Sequence, residues 1–392
     1  MDPNIIGMIV FAVLLGIFLF WKKKEIALEK IAFPVLYLIM YRTKFGLKAM
    51  DFIGTRFRRL VMFLGVVGII VGFLGMILIV YVLIYSFIQI FTVPNAPASV
   101  MPVLPFQAKG VYYVPFFYWI ISIFIIAGVH EMAHGIVARA HNMKIKSSGF
   151  AFLAILIPII PAAFVEPDEK NLQKKPKKQQ LAVFAAGPLS NIILTVIIAL
   201  MFIFAFNPIT SKVLENKGVT ISSYALVNSS AEKAGLPIGS TIIALDSKSI
   251  KTSEDLASAL NSKKPGDKVK VKTEDKEYSL TLGKNPQDLN KPYLGVTLAQ
   301  KTAIKESILS SYGTFWPNTY LSFLELMKFI ALLSLGIGLF NLAPIGPVDG
   351  GRMFHTALMY KIEKQKADKI FGYVSIFLLV IIVASLVFNF FR

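Results

Sequence analysis

The chain contains no cysteine. Disulfides and thiolate metal sites are therefore excluded, and any bound metal must use histidine and carboxylate. Histidine itself is scarce, with four in 392 residues. Acidic residues are also few, 23 against 41 Lys and Arg, which leaves a net charge of +18. Such an excess often marks nucleic-acid binding. Here the positive charge sits in loops beside apolar runs, the pattern that orients membrane proteins and meets lipid headgroups. Membrane lipids are the expected partners of that charge, and no nucleic acid is. Apolar residues are abundant: the chain is 55% hydrophobic with a mean hydropathy of +0.64. Several uncharged stretches approach ~20 residues, the length a bilayer crossing needs.

Residues 4–21 form the first expected span, closed by Trp21 and Lys22-Lys23-Lys24. Positive charge after the apolar run, instead of before it, predicts an anchor with its N-terminus outside. Residues 22–59 carry ten Lys/Arg against Glu25, Glu29 and Asp51 and read as cytoplasmic. Their apolar stretch 31–41 is too short to cross and contains Pro34, so an interfacial or protein-packed helix is expected there. Residues 60–91 are uncharged, with Gly65, Gly68, Gly72 and Gly75 at helical spacing for close helix packing. Residues 92–111 are proline-rich and read as an outside loop. Further spans are expected at 116–141, 181–206, 318–341 and 370–391, giving six. The stretch 147–165 is marginal in length, holds Pro158 and Pro161, and has basic residues on both flanks. It reads as a re-entrant segment of extended chain.

Residues 215–299 change character. They are polar, with twelve Lys against ten acidic residues, so they carry little of the excess charge. Strand-like pieces fall at 219–228, 241–246, 268–273 and 277–282, and a helical piece near 253–261. A soluble domain inserted between spans is expected. The fold class is thus a mostly α membrane protein of about six spans, with a re-entrant, possibly β-hairpin segment and an inserted α+β domain. The basic loops fall on one side, and the inserted domain and both termini on the other.

Chemistry concentrates in the third span, where His130-Glu131-Met-Ala-His134 sits in a long apolar run. Positions four apart share a helix face, so both imidazoles can hold one zinc ion. Glu131 is then placed to take a proton from a bound water. Ionisable groups in a span are costly, which argues for a role. A catalytic zinc needs a third protein ligand. His141 lies about 10 Å from His134 along the axis, too far to share a metal. His355 is a weaker candidate. Asp349 is a better one, a carboxylate in the Pro/Gly-broken segment Asn341-Leu-Ala-Pro344-Ile-Gly-Pro347-Val-Asp349-Gly350-Gly351.

These motifs, together with Gly187-Pro188-x-x-Asn191, resemble the site-2 protease family of intramembrane zinc metalloproteases. The resemblance covers residues from about 112 to 391. It divides the chain into an N-terminal two-span extension (1–111), a metalloprotease core in two parts (112–214 and 301–392) and the inserted domain (215–300). The insert resembles a PDZ domain through Ser230-Ala-Glu-Lys-Ala234-Gly235-Leu236-Pro-Ile-Gly239 and Ile242-Ile243-Ala-Leu-Asp246. It departs at Ser240 and Ser247, where Asp and Gly are usual. The resemblance implies zinc bound by His130, His134 and Asp349, with Glu131 as the proton acceptor. Asn341 is implied as an oxyanion donor, and a helix C-terminal cap is the other reading of it. Gly187, Pro188 and Asn191 are candidates for substrate contact; Asn191 also suits an interhelical hydrogen bond. The implied substrate is a transmembrane helix of a single-span regulatory protein whose outer part was trimmed beforehand. Two other readings exist: a membrane zinc peptidase acting on lipidated or soluble peptides, as CAAX prenyl proteases do, and a PDZ scaffold without activity.

Overall fold

A computed structural model describes all residues except 1, 33–35, 94–99, 156, 226–228, 287 and 392. It divides into two compact units, residues 1–201 with 324–392, and residues 202–323.

The first unit begins with helix α1 (Pro3–Trp21) and strands β1 (Ile26–Ala32) and β2 (Leu36–Thr43). Helices α2 (Leu47–Arg56), α3 (Arg58–Thr92) and α4 (Phe116–Ala140) follow. Strands β3 (Ile145–Ile155) and β4 (Ile157–Pro167) lead to α5 (Lys177–Met201). Farther along the chain come α6 (Phe315–Phe340), which begins within residues 202–323, then α7 (Asp349–Leu358) and α8 (Lys364–Phe391). Six helical runs among the described residues are long and apolar enough to cross a bilayer: α1, α3, α4, the run from α5 to Val213, α6 and α8. Several start earlier than their apolar windows, at Arg58, Lys177 and Lys364. A first helical turn can project charged side chains into water while its backbone stays helical.

The expected helix over 31–41 is corrected. β1 and β2 form an antiparallel hairpin, and β2 pairs with β3 from Leu36↔Ile155 to Thr43↔Ser148. Pro34 lies outside the described residues. Tyr37, Ile39, Tyr41 and Thr43 are β-formers at alternate positions, and the neighbouring edge of β3 supplies the partners a short isolated helix would lack. The stretch 147–165 is an antiparallel hairpin, β3 with β4, completing a sheet in the order β1-β2-β3-β4. β4 is therefore an edge strand. The Val165 N–H points away from β3, to the Glu131 carboxylate. By the period of two, Pro161 and Pro167 face the same free side, where a missing N–H breaks no ladder bond.

The glycines of α3 are buried and let it approach two other elements. A Cβ at Gly65 would meet Ala182 at 3.2 Å, and one at Gly68 would meet Leu189 at 3.2 Å. Gly72 faces Met353, and Gly75 faces Leu342. α3 thus packs directly against α5 and the 342–353 segment. Between α5 and α6, Ser334 Oγ donates to the Asn191 carbonyl (2.9 Å) and Thr195 Oγ1 to that of Ala331 (3.1 Å). Small polar side chains of this kind hold helices together where the hydrophobic effect cannot.

The second unit contains strands β5 (Leu214–Tyr224), β6 (Thr241–Leu245), β7 (Lys268–Thr273), β8 (Glu277–Thr281) and β9 (Val296–Ile304). They form a sheet in the order β8-β7-β6-β5-β9. The short helix Ser253–Asn261 is started by a Thr252–Asp255 capping box. Along β7 the lysines at 268, 270 and 272 face out while Val269 and Val271 enter a core with Ile221, Ile242, Leu245 and Leu256. β5 ends at Tyr224; residues 226–228 of the expected strand lie outside the described set.

Candidate metal centre

α4 carries His130 and His134 one turn apart on its buried face. Asp349 arrives from the far end of the sequence as the first residue of α7. Its Oδ2 lies 3.0 Å from His130 Nε2 and 3.2 Å from His134 Nε2. The two Nε2 atoms are 3.2 Å apart. Tetrahedral ligands about 2.0–2.1 Å from zinc stand roughly 3.3–3.4 Å from one another, so this triangle has close to the dimensions of one face of a tetrahedral zinc site, its three corners filled by protein atoms.

The surroundings set the chemistry of the three atoms. His134 Nδ1 lies 2.7 Å from the Val183 carbonyl, which can only accept, so the ring proton is held there and Nε2 keeps its lone pair. The Asn191 amide faces His130 Nδ1 at 3.2 Å. The two ends of an amide are alike in shape. With Oδ1 toward the ring, Nδ1–H donates to it, and an oxygen otherwise buried without a partner is satisfied. His130 Nε2 is then also a lone-pair donor. Three lone-pair donors converging without a proton between them repel one another unless a cation sits at their centre. A Cβ on Gly187 would fill that space, standing 2.5 Å from His130 Nε2 and nearer still to His134 Nε2. The residues present fit a zinc ion.

The turn before α7 explains how Asp349 reaches the helix. α6 ends at Phe340, and the Asn341 carbonyl accepts the Gly350 N–H at 2.7 Å. A Cβ at Gly350 would stand 2.5 Å from the Ala343 carbonyl oxygen and closer to that of Leu342; Gly351 lies as tightly on the Ile345 carbonyl. The glycine pair lets α7 lie on its own connecting loop, which contains a cis Gly346–Pro347 peptide.

The cluster opens on a cavity of about 410 Å³. Glu131, Asn341, Ala163, Val165, Ile337 and Arg352 share its wall with the three donors. Glu131 Oε2 accepts the Val165 N–H at 2.9 Å, so the carboxylate bridges α4 and the free edge of β4. Pro188 is buried within α5, one residue past Gly187. The two other histidines lie elsewhere: His141 ends α4, and His355 pairs with Asp368 at 2.6 Å. Val183 and Arg352 escaped the sequence reading. Val183 acts through a backbone carbonyl, which leaves no residue-type signal. Arg352 stands one turn beyond Asp349, and that spacing was a usable signal.

A buried His-His-carboxylate triangle beside a glutamate, carried on helices suited to a bilayer, defines a membrane zinc metallopeptidase centre. The profile of Peptidase family M50 matches residues 118–382, and the chain belongs to this family, the site-2 protease type of zinc metalloendopeptidase. It is an integral membrane protein. Among its relatives, an uncharacterized protein of Methanocaldococcus jannaschii is 28% identical over 320 residues, covering 80% of this chain and 75% of that one. A Clostridium acetobutylicum protein bearing a zinc-metalloprotease name is 24% identical, covering 63% and 87%. The zinc metalloprotease RasP of Shouchella clausii is 25% identical, covering 57% and 62%. A solved PDZ domain of an SdrC-like protein from Listeria monocytogenes is 27% identical, covering 21% of this chain and 88% of that one, with a TM-score of 0.19. A Geobacillus thermodenitrificans solution structure is 40% identical, covering 21% and 95%, with a TM-score of 0.18.

Proposed function

We propose that this enzyme cleaves peptide bonds in or beside the transmembrane segments of single-span regulatory proteins, after their outer parts have been trimmed. The observation that carries the reading is the convergence of three things on one cavity: the His130–His134–Asp349 triangle, Glu131, and the free edge of β4.

His130, His134 and Asp349 hold the zinc. When bound, zinc supplies a Lewis acid that lowers the pKa of water toward ~7. Glu131 takes the proton released on attack and returns it to the leaving amine. Asn341, at the broken end of α6, donates a hydrogen bond to the scissile carbonyl oxygen as negative charge grows on it. Gly187 keeps the space between the imidazoles clear, Asn191 orients His130, and Pro188 shapes the same stretch of α5.

A transmembrane helix pairs its own backbone groups, so it must unwind before its carbonyls can be attacked. The unwound strand then needs partners, and the outward groups of β4 supply them by strand addition. The hydrogen bond from Val165 to Glu131 puts that strand beside the acid–base residue. The distribution of lysine supports a cytoplasmic position for the basic loops, with the termini and the PDZ-like unit outside. From there the PDZ-like unit filters substrates by the size of what remains outside.

The test pairs two variants in purified protein. Asp349→Ala removes bound zinc and activity together. Glu131→Gln keeps zinc at one per chain and lowers cleavage of a single-span substrate by about 10²-fold or more. Full cleavage by Glu131→Gln refutes the assignment of the proton acceptor, and full zinc retention by Asp349→Ala refutes that of the third ligand.

A further inference from the structure

A second cavity of about 450 Å³ lies in the membrane unit, walled by Glu169, Gln173, Lys177, Arg352, His355 and Lys364 among others. It shares Leu172, Phe184 and Arg352 with the catalytic cavity as a common partition. The proteolytic chemistry uses none of its other residues.

Its charge is unbalanced. Lys177, Arg352 and Lys364 are cations, against one lining carboxylate, Glu169. That carboxylate stands 3.8 Å from the Arg352 guanidinium, at the outer limit of an ion pair. Arg352 otherwise rests over the Phe184 ring at 5.7 Å. The half-buried Lys177 has only the Met359 sulfur near its Nζ, at 4.0 Å. Neither Lys177 nor Lys364 makes an ion pair among the described residues. His355 is already matched by Asp368. Two long helices also begin at this wall, α5 at Lys177 and α8 at Lys364, so the positive ends of their dipoles add to the side-chain charge.

We propose that this cavity binds a phosphate-bearing anion, held by Lys177, Lys364 and Arg352. Separate cations around one void suit a group with several charged oxygens; a single carboxylate would satisfy only one or two of them. The lysine-rich segments 170–178 and 361–369 border the site, so the phosphate can come from a lipid headgroup or from solution. Arg352 follows Asp349 by one helical turn, so the occupant contacts the helix that carries the metal-site carboxylate. The proposal does not depend on the substrate assigned above.

The experiment uses the full chain in phosphatidylcholine nanodiscs and reads thermal unfolding. One arm titrates inorganic phosphate at constant ionic strength. The other replaces part of the phosphatidylcholine with phosphatidylglycerol. Each is run on wild type, on Lys177→Gln/Lys364→Gln, and on Lys170→Gln/Lys178→Gln, which loses the same charge outside the cavity. The expected result is a rise in Tm of about 2–4 °C in wild type and in the 170/178 variant, lost in the 177/364 variant. A rise with phosphate identifies a soluble ligand; a rise with phosphatidylglycerol alone identifies a headgroup. No rise in either arm overturns the proposal. So does an equal rise in both double variants, which reports only a basic surface. If the 177/364 variant does not fold, Lys364→Gln alone, at an exposed position, makes the same comparison.

Discussion

Gly187→Ala separates metal geometry from helix stability because the two effects have opposite signs. In the middle of α5, replacing glycine with alanine favours the helix by about 1 kcal/mol. The added methyl, however, would lie 2.5 Å from His130 Nε2 and 2.6 Å from its Cε1, with His134 Nε2 closer. Ordinary contact distances are about 3.5 Å, so one or both imidazoles must withdraw by about 1 Å. Metal sites tolerate ligand errors of roughly 0.2 Å. The two rings cannot then bind one ion together, and zinc affinity should fall by at least 10–100-fold, with cleavage falling as far or further. The assay measures zinc per chain by mass spectrometry across a chelator-buffered series, with thermal unfolding in chelator and cleavage of a single-span reporter alongside. Gly336→Ala in α6 is the control, since nothing lies within 4 Å of its Cβ, and it should keep full zinc. Wild-type zinc affinity and cleavage in Gly187→Ala would show that the space between the imidazoles is not where the metal sits.

Three further outcomes follow from the same geometry. Ala163→Pro removes an outward N–H from the free edge of β4 without breaking its ladder to β3. It should lower cleavage of a helical substrate about 10-fold or more while zinc stays bound; unchanged cleavage rejects strand addition. Gly350→Ala forces α7 off the Leu342 and Ala343 carbonyls and should cost about 1–3 kcal/mol and displace Asp349, read as a lower Tm together with lost zinc. In the PDZ-like unit, the Lys263 ammonium and the Lys270 N–H hold the Asp246 carboxyl below its usual range. The Lys251 and Thr252 N–H groups do the same for Asp255. Folded-state values below the unfolded ones mean that both contributions are complete above pH ~4 and fade as pH falls through the lower values. Hydrogen exchange in residues 202–323 of the full chain should lose protection toward pH ~3, after correction for intrinsic rates. The Asp246→Asn/Asp255→Asn variant should lose less over that range, and an identical slope would reject the assignment.

Sequence alone settles whatever depends on local pattern and solvent. The uncharged runs give the spanning helices, because a bilayer demands about twenty apolar residues whatever they pack against. The i, i+4 spacing of His130 and His134 places both imidazoles on one face, because helix geometry is the same everywhere. The alternation of Lys and Val over 268–273 gives a strand with one buried side. Tertiary structure alone decides what meets across distance. Residues 36–43 are strand and not helix because β3 offers them an edge, and nothing within the segment records that edge. Gly187 matters because two imidazoles from another helix stand where its Cβ would be. Asp349 meets the two imidazoles because Gly350 and Gly351 let α7 rest on its own loop, bringing a carboxylate 219 residues along the chain to within 3.0 Å of His130. Backbone carbonyls such as that of Val183 complete the site, and since every residue has one, only packing reveals which is used.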